Sequence, residues 1–322
     1  MAAIVEEDDR CTYFYLVGAS GAPQRSVWVR NHGAAPDALD VERMKEGEAP
    51  ELPASACLWP NGSPHLDAAK LSLTWFEECT GAALYEDREL LALIPPAPDA
   101  RLPGFARDCK APTRLALPLG KASDHPLFAS LEKARAFWKR WADEEPWPAL
   151  EAGFVGAYRA ALGVEPTHVE TQAVDWPPRL VARFELPDCV VLATGGMSIR
   201  PQPGAEGAAP RRIELAIAVD GSFASALEPL ARFLAAQTDL PWLSGRYLAA
   251  GHGIEGGTTF EALLLCADPP GAPTVALPEA DGERVQLLWL VPVTAAERGE
   301  KDRAALFARL WASGATFVHR DR

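Results

Sequence analysis

The sequence has few of the patterns that mark a metal-binding or disulfide-stabilised protein. Its six cysteines never form a C-x-x-C pair, which excludes the usual structural zinc frameworks, and we interpret them as free thiols in a reducing compartment. The six histidines never show the H-x-x-x-H or H-E-x-x-H spacing of helical metal sites. Sequence spacing therefore predicts neither a metal ion nor a cofactor.

The sequence also lacks an excess of positive charge and a long apolar run. A formal net charge of −13 argues against a general nucleic-acid binder, because neutralising phosphates requires a basic stripe. An acidic surface suits solubility or a basic protein partner. No apolar run reaches the length of a membrane span, and residues 1–10 do not resemble a signal peptide. We therefore expect a cytoplasmic protein whose partners include neither nucleic acid nor a membrane.

The chain of 322 residues, 48% of them hydrophobic, is long enough for two hydrophobic cores. Its first part is predicted to be β-rich, with short strands separated by proline- and glycine-rich turns and with a loop over 33–55. The predicted strands cover residues 12–17, 26–30, 71–79 and 84–94. We place the domain boundary near residue 125, so that residues 1–125 form a module of unknown family and residues 126–322 a second domain.

The second domain is predicted to mix helices and strands. A first helix follows residue 126, with Asp124 as its candidate cap, because apolar residues recur there at spacings of three and four: Leu127, Leu131, Ala134, Trp138 and Trp141. In the predicted helix over 224–237, Pro229 must either begin the helix or kink it. The further predicted helices cover 149–162, 224–237 and 301–312. The predicted strands cover 179–185, 189–194, 212–219 and 259–266.

One long apolar run, residues 285–297, is typical of a strand at the centre of a sheet. Valines flank leucines and Trp289 in it, which favours a strand that is covered on both faces. Thr294, followed three residues later by Glu297, is a candidate capping box, so a helix should begin there. The run is predicted to be scaffold, with Trp289 in the core.

Several short motifs, taken together and in order, resemble the suppressor of fused domain over roughly residues 135–322. The sequence departs from the usual pattern at Pro229 and at Ala295-Ala296, where a more polar pair is common. The motifs are Leu192-Ala-Thr-Gly-Gly-Met-Ser198, Glu214-Leu215, Pro229-Leu-Ala-Arg-Phe233, Gly251-His252, Asp268-Pro269, Asp281-Gly282 with Val285-Gln286, and Pro292-Val-Thr-x-x-Glu297.

The resemblance implies an α+β fold, with a mixed α/β domain whose central sheet is flanked by helices, preceded here by the smaller β-rich module. It implies a non-enzymatic domain that binds proteins. In animals the family holds an extended peptide of a transcription factor in a strand-like mode. Bacterial members are associated with toxin genes, so the protein resembles an immunity or antitoxin-like factor. An adaptor or chaperone that sequesters a peptide of a secretion or signalling protein is the first alternative.

An enzyme of unknown type that uses the loop around His252 is the second alternative. Residues 251–256 formally match G-x-G-x-x-G, but the surrounding segments do not follow the strand-then-helix order of a dinucleotide site. Ser198 lacks the second glycine of G-x-S-x-G, so no nucleophile elbow is predicted. We expect no catalytic residue, and a tight loop with positive φ at its glycines.

The partner surface is predicted to be formed by three segments. These are the loop over 199–210, the glycine-rich loop over 245–257 and Trp176-Pro-Pro. A tryptophan before a proline keeps part of a large ring exposed, and such rings are frequent anchors of interfaces. The partner is expected to be a basic toxin domain or an extended peptide. The candidate partner-binding residues are Trp176, Arg200, Glu206, Arg246, His252 and Glu255.

Overall fold

The computed structural model describes residues 1–18, 21–96, 103–172, 176–205 and 209–320. Within it the chain divides into two compact units, Met1–Ala142 and Asp143–Arg322. The boundary near residue 125 stays a prediction for the folding domains, because compactness does not establish independent folding. Each unit mixes helices with sheets, and the expected α+β class is confirmed.

The first unit contains two sheets. The three-stranded sheet has the order β1-β2-β3, and the five-stranded sheet the order β4-β5-β6-β7-β8. Its strands are β1 (Ala2–Glu7), β2 (Cys11–Val17), β3 (Pro23–Asn31), β4 (Leu71–Trp75), β5 (Ala82–Glu86), β6 (Glu89–Ile94), β7 (Phe105–Ala106) and β8 (Leu117–Pro118). Its helices are α1 (Val41–Lys45) and α2 (Phe128–Glu144), of which α2 ends just past the division between the units.

Two strand predictions in this unit need correction. The run over 84–94 is a hairpin of β5 and β6, because Asp87 and Arg88 both adopt positive φ and reverse the chain. The run over 71–79 forms a strand only as far as Trp75. The strand β1, which the sequence did not predict, pairs antiparallel with β2.

Helix α2 confirms the predicted helix and two residues of its buried face, but Phe137 is buried where Trp138 and Trp141 were predicted. Leu131, Ala134 and Phe137 are its buried residues, whereas Trp138 and Trp141 are only half-buried. The indole N–H of Trp138 donates to the carbonyl of Trp75 at 2.7 Å, which suits a ring with one polar edge. The candidate cap Asp124 ends a 3₁₀ turn over Ala122–Asp124 and does not cap the helix.

The second unit is organised on a mixed eight-stranded sheet in the order β13-β14-β15-β12-β11-β10-β9, with a short β16 beside β12. Its strands are β9 (Pro166–Gln172), β10 (Arg179–Glu185), β11 (Val190–Gly195), β12 (Ile213–Val219), β13 (Gly253–Glu255), β14 (Ala262–Cys266), β15 (Gln286–Val293) and β16 (Val318–His319). Its helices are α3 (Trp147–Leu162), α4 (Leu227–Gln237), α5 (Leu240–Ser244), α6 (Ala295–Gly299) and α7 (Arg303–Ala312).

The predicted central strand is confirmed as β15, which lies between β12 and β14. Trp289 is 2% exposed. The capping box is also confirmed, since Thr294 accepts from the N–H of Glu297 and the Glu297 carboxylate accepts from the N–H of Thr294. Helix α6 therefore begins directly after the strand.

Helices cover both faces of this sheet. Leucines of α4 pack on one face, against the predicted row Ile213, Leu215, Ile217 and Val219. On the opposite face Leu306 and Leu310 of α7 pack against Leu264. Both faces of β12 are buried, so its hydrophobic residues form a continuous run. Pro229 lies in the first turn of α4, where a missing N–H leaves no helical hydrogen bond unmade.

No helix in the described ranges has the length and apolar character that crossing a membrane requires.

Candidate partner-binding surface

A buried carboxylate on β12 fixes the backbone from which the candidate surface begins. Glu214 is fully buried and accepts hydrogen bonds from the N–H groups of Gly196 and Ser198, both at 2.9 Å. The hydroxyls of Thr194 and Ser198 also donate to it, both at 2.6 Å. Burial raises the pKa of Glu214 above its ordinary value, and the four hydrogen bonds oppose that rise. The turn over 195–198 is therefore held by this one side chain.

A buried arginine two residues earlier continues the same support. Arg212 is fully buried and donates to the carbonyls of Ser198 and Ile199, at 2.8 and 2.5 Å. Its other nitrogens pair with Asp281 at 3.2 Å and Glu283 at 3.1 Å. The guanidinium has five donors in a rigid fork, so one side chain can bind two backbone carbonyls and two carboxylates. These hydrogen bonds fix the backbone of residues 198 and 199, directly before Arg200.

The guanidinium of Arg200 lies over two tryptophan rings. Its central carbon is 4.0 Å from the ring centroid of Trp242 and 5.7 Å from that of Trp176. The same guanidinium pairs with Asp239 at 2.8 Å, and Asp239 also pairs with Arg179. Cation–π contacts and ion pairs therefore hold the two indole rings beside a charged network. We call the set Trp176, Arg179, Arg200, Asp239, Trp242 and Leu243 the Trp176 surface.

The Trp176 surface exposes apolar side chains at its edge. Trp176 is 37% exposed and Leu243 is 70% exposed, and they are the exposed large hydrophobic residues of the second unit within the described ranges. The side chain of Arg200 is 10% exposed, so its charge is largely withdrawn from water. Tryptophan and arginine are among the residue types that most often anchor protein interfaces.

The structure also joins the two loops that the sequence assigned to the surface. The side-chain amide of Gln202, on the first loop, donates to the carbonyl of Leu248 at 3.0 Å and accepts from its N–H at 2.8 Å. Arg246, two residues before Leu248, is exposed. The amide is 2% exposed, so this link is shielded from water and rigid.

The other predicted residues lie elsewhere or outside the described residues. His252 is exposed, and its ring packs against Tyr247 with centroids 5.3 Å apart. Glu255 ends the edge strand β13. Glu206 falls outside the described residues. The structure therefore brings Trp176 and Arg200 together and places His252 and Glu255 at the β13 edge of the sheet.

Sequence reasoning missed Asp239 and Leu243 as members of the surface. Asp239 precedes the short helix α5, and Leu243 is an exposed apolar residue within it. The pairing of Asp239 with Arg200 and Arg179, 39 and 60 positions earlier, has no local signal. The Pro241-Trp242 pair resembles Trp176-Pro177 in placing a tryptophan beside a proline.

The loop around His252 does not have the arrangement of a dinucleotide site. Residues 253–255 form β13, which pairs with β14, so no helix begins there. A cavity of about 970 Å³ lies elsewhere in the unit, between the segment over 267–285 and β15. Its described lining includes Asp268, Arg284 and Trp289 but no histidine, cysteine or serine.

The sheet and the helices on both of its faces define the second unit as a mixed α/β domain. Residues 175–320 match the family model of the suppressor of fused protein, SUFU, so the resemblance found in the sequence is confirmed over these residues. Domains of this family bind proteins.

One solved structure is similar to this chain, a crystal structure described as a SUFU homologue from Neisseria gonorrhoeae FA 1090. The identity is 14% and the TM-score 0.40, and the match covers 54% of this chain and 96% of that chain. No curated protein matches the chain.

Proposed function

We propose that the protein is a non-enzymatic immunity or antitoxin-like factor that binds and blocks a cognate toxin through its second unit. The observation that supports this best is the Trp176 surface, where a half-exposed tryptophan and an exposed leucine adjoin a nearly buried arginine. A fixed aromatic ring loses little conformational entropy when a partner covers it, so it suits a tight complex. We also propose that the protein acts in the cytoplasm.

The proposed partner is a basic toxin domain. A net charge of −13 attracts a basic partner over several ångströms and raises the association rate, while the aromatic anchors slow dissociation. Association should therefore slow steeply as salt is added. Dissociation should respond mainly to Trp176 and Leu243.

A peptide-sequestering adaptor is the second candidate function, and the edge strand β9 favours it. β9 ends the strand order of the sheet, pairs with β10 on one side, and is exposed at Thr167, His168 and Glu170. An extended peptide could add to such an edge by main-chain hydrogen bonds.

Affinity purification from the native host with mass spectrometry tests both candidates. A stoichiometric basic protein whose toxicity the purified chain suppresses supports the immunity function. A component of a secretion or signalling system, with no toxicity to suppress, supports the adaptor. Recovery of no stoichiometric protein partner would contradict both.

Trp176→Ala then tests the surface. We expect the dissociation constant for the recovered partner to rise at least about thirtyfold, as for a central aromatic anchor worth about 2 kcal/mol. Leu243→Ala provides a second variant at a more exposed position, and Trp59→Ala, 55% exposed in the first unit, is the matched control. If both surface variants bind as tightly as the control while circular dichroism shows native folding, the Trp176 surface is not the interface.

A further inference from the structure

Three side chains of metal-ligand type meet in the first unit. They are Glu7 at the end of β1, His32 directly after β3, and His65 in the following loop. One atom of each lies within 4.8 Å of the other two. Nδ1 of His65 is 2.7 Å from Oε1 of Glu7, and Nε2 of His32 is 3.5 Å from Oε2. The carboxylate therefore lies between two imidazoles.

Backbone contacts hold the three residues in place. The N–H of His32 donates to the carbonyl of Arg10 at 2.7 Å, and that of Ser63 to Asn31 at 2.8 Å. Gly62 has φ +92, and a Cβ there would lie 2.3 Å from the carbonyl oxygen of His32, so only glycine permits this approach of the loop. A ligand would find this cluster largely preformed.

The hydrogen bond of His32 determines which of its nitrogens can bind a ligand. Its Nδ1 lies 3.2 Å from the carbonyl oxygen of Ser63, which can only accept, so Nδ1 carries the proton. Its Nε2 is therefore the nitrogen directed at the cluster, where it lies 3.5 Å from Oε2 of Glu7 and 3.0 Å from the hydroxyl oxygen of Thr12. A histidine that binds a metal usually donates its other N–H to a carbonyl or carboxylate in this way. The His32 side chain is 4% exposed, so this orientation is fixed.

The contacts of Glu7 and the two rings also suit a cation. The Glu7 carboxylate accepts from the hydroxyl of Thr12 at 2.8 Å and from the N–H of Leu66 at 3.1 Å, so its position is held by the surrounding protein. The rings of His32 and His65 stack with centroids 3.9 Å apart, which keeps two ring nitrogens beside one carboxylate.

We propose that Glu7, His32 and His65 bind one divalent cation of the zinc class, with a fourth position open to water. Two imidazole nitrogens and a carboxylate oxygen form a known zinc donor set, whereas Mg²⁺ and Ca²⁺ prefer oxygen ligands. Bonds of about 2.0–2.2 Å place tetrahedral ligands about 3.3 Å apart. The separation of 3.5 Å between His32 and Glu7 is already close to that. His65, 58% exposed on its loop, supplies the remaining movement. On binding the cation, its Nδ1 would exchange the N–H that it donates to Glu7 for the metal bond, with the imidazole proton on Nε2.

The test is calorimetric titration of chelator-treated protein with Zn²⁺ and, in parallel, with Mg²⁺. We expect one equivalent of Zn²⁺ to bind and to raise the melting temperature, with no comparable binding of Mg²⁺. His65→Ala and Glu7→Gln should each weaken Zn²⁺ binding at least about tenfold. Both variants should fold, because the His65 ring is exposed and glutamine keeps the shape of Glu7. His168→Ala, which removes an exposed histidine from β9, is the matched control and should bind as wild type.

The cobalt(II) complex separates this site from the cysteines. We expect its visible spectrum to lack thiolate-to-metal absorption and to disappear in His65→Ala. A wild-type protein that takes up no stoichiometric Zn²⁺ would overturn the proposal. So would two variants that both keep wild-type affinity, or a cobalt complex with thiolate absorption.

Discussion

Replacing Trp289 with alanine should destabilise the second unit by several kcal/mol. Trp289 is 2% exposed in the central strand β15, and its ring meets Phe317 edge to face with centroids 5.2 Å apart. Its register neighbours, Ala216 and Cys266, are too small to fill the space that it would leave. Burying about 200 Å² of aromatic surface is worth about 5 kcal/mol at about 25 cal/mol per Å². Since alanine retains part of that burial, we expect a loss of about 3–5 kcal/mol.

Urea denaturation followed by far-ultraviolet circular dichroism measures this loss. The midpoint for Trp289→Ala should fall while the slope stays unchanged, because the same surface is exposed on unfolding. Trp59→Ala, at a ring that is 55% exposed in the first unit, is the control and should change stability by less than about 0.5 kcal/mol. A Trp289→Ala loss no larger than the control's would refute the assignment of this ring to the core. The assignment would also be refuted if Trp289→Ala kept wild-type stability but lost partner binding.

Two further predictions concern buried titratable groups. Because the pKa of Glu214 is raised in the folded protein, the protonated form of this side chain favours folding. Its contribution to stability is therefore fully present below the ordinary carboxyl pKa, and it is lost as pH rises through the folded-state pKa. Glu214→Gln, which stays neutral, should gain stability relative to wild type between acidic and neutral pH in urea titrations; a pH-independent difference would contradict this. Burial raises the pKa of Cys11 to about 12 and that of Cys57 to about 11, and Cys79 is the half-buried thiol. A disulfide reagent at neutral pH should therefore modify Cys79 first in the native protein, and faster labelling of Cys11 would show that its burial is wrong.

The long, strongly patterned elements could be predicted from sequence. β15 and α7 have continuous apolar or helical periodicity, and α3 ends at Gly163 with φ +74 as expected. β9 could not be predicted, because its residues are mostly polar and its strand conformation comes from pairing with β10. Asp87-Arg88 is an unusual turn pair without glycine, so the hairpin of β5 and β6 had no sequence signal.

The candidate sites were less predictable, since each combines residues that are far apart in sequence. Trp176 and Arg200 were proposed one by one, but their contact through Trp242 and Asp239 depends on the tertiary fold. The grouping of Glu7, His32 and His65 is a stronger case, because spacing rules detect ligands on one helix and these three come from two strand ends and a loop. Spacing rules therefore detect metal sites whose ligands lie on one helix, and they miss sites whose ligands come from separate segments of the chain.

The buried charges of β12 explain how irregular loops can carry a defined surface. Moving Glu214 and Arg212 out of water is unfavourable by several kcal/mol, and it is offset only because each binds backbone groups or carboxylates on almost every polar atom. Those backbone groups belong to residues 196–199, which precede Arg200 directly. The loop is therefore held from inside the sheet, independently of Trp176 and Leu243 on its outside. The proposed function therefore assigns the choice of partner to these outer side chains, and the stability of the fold to β12 and β15.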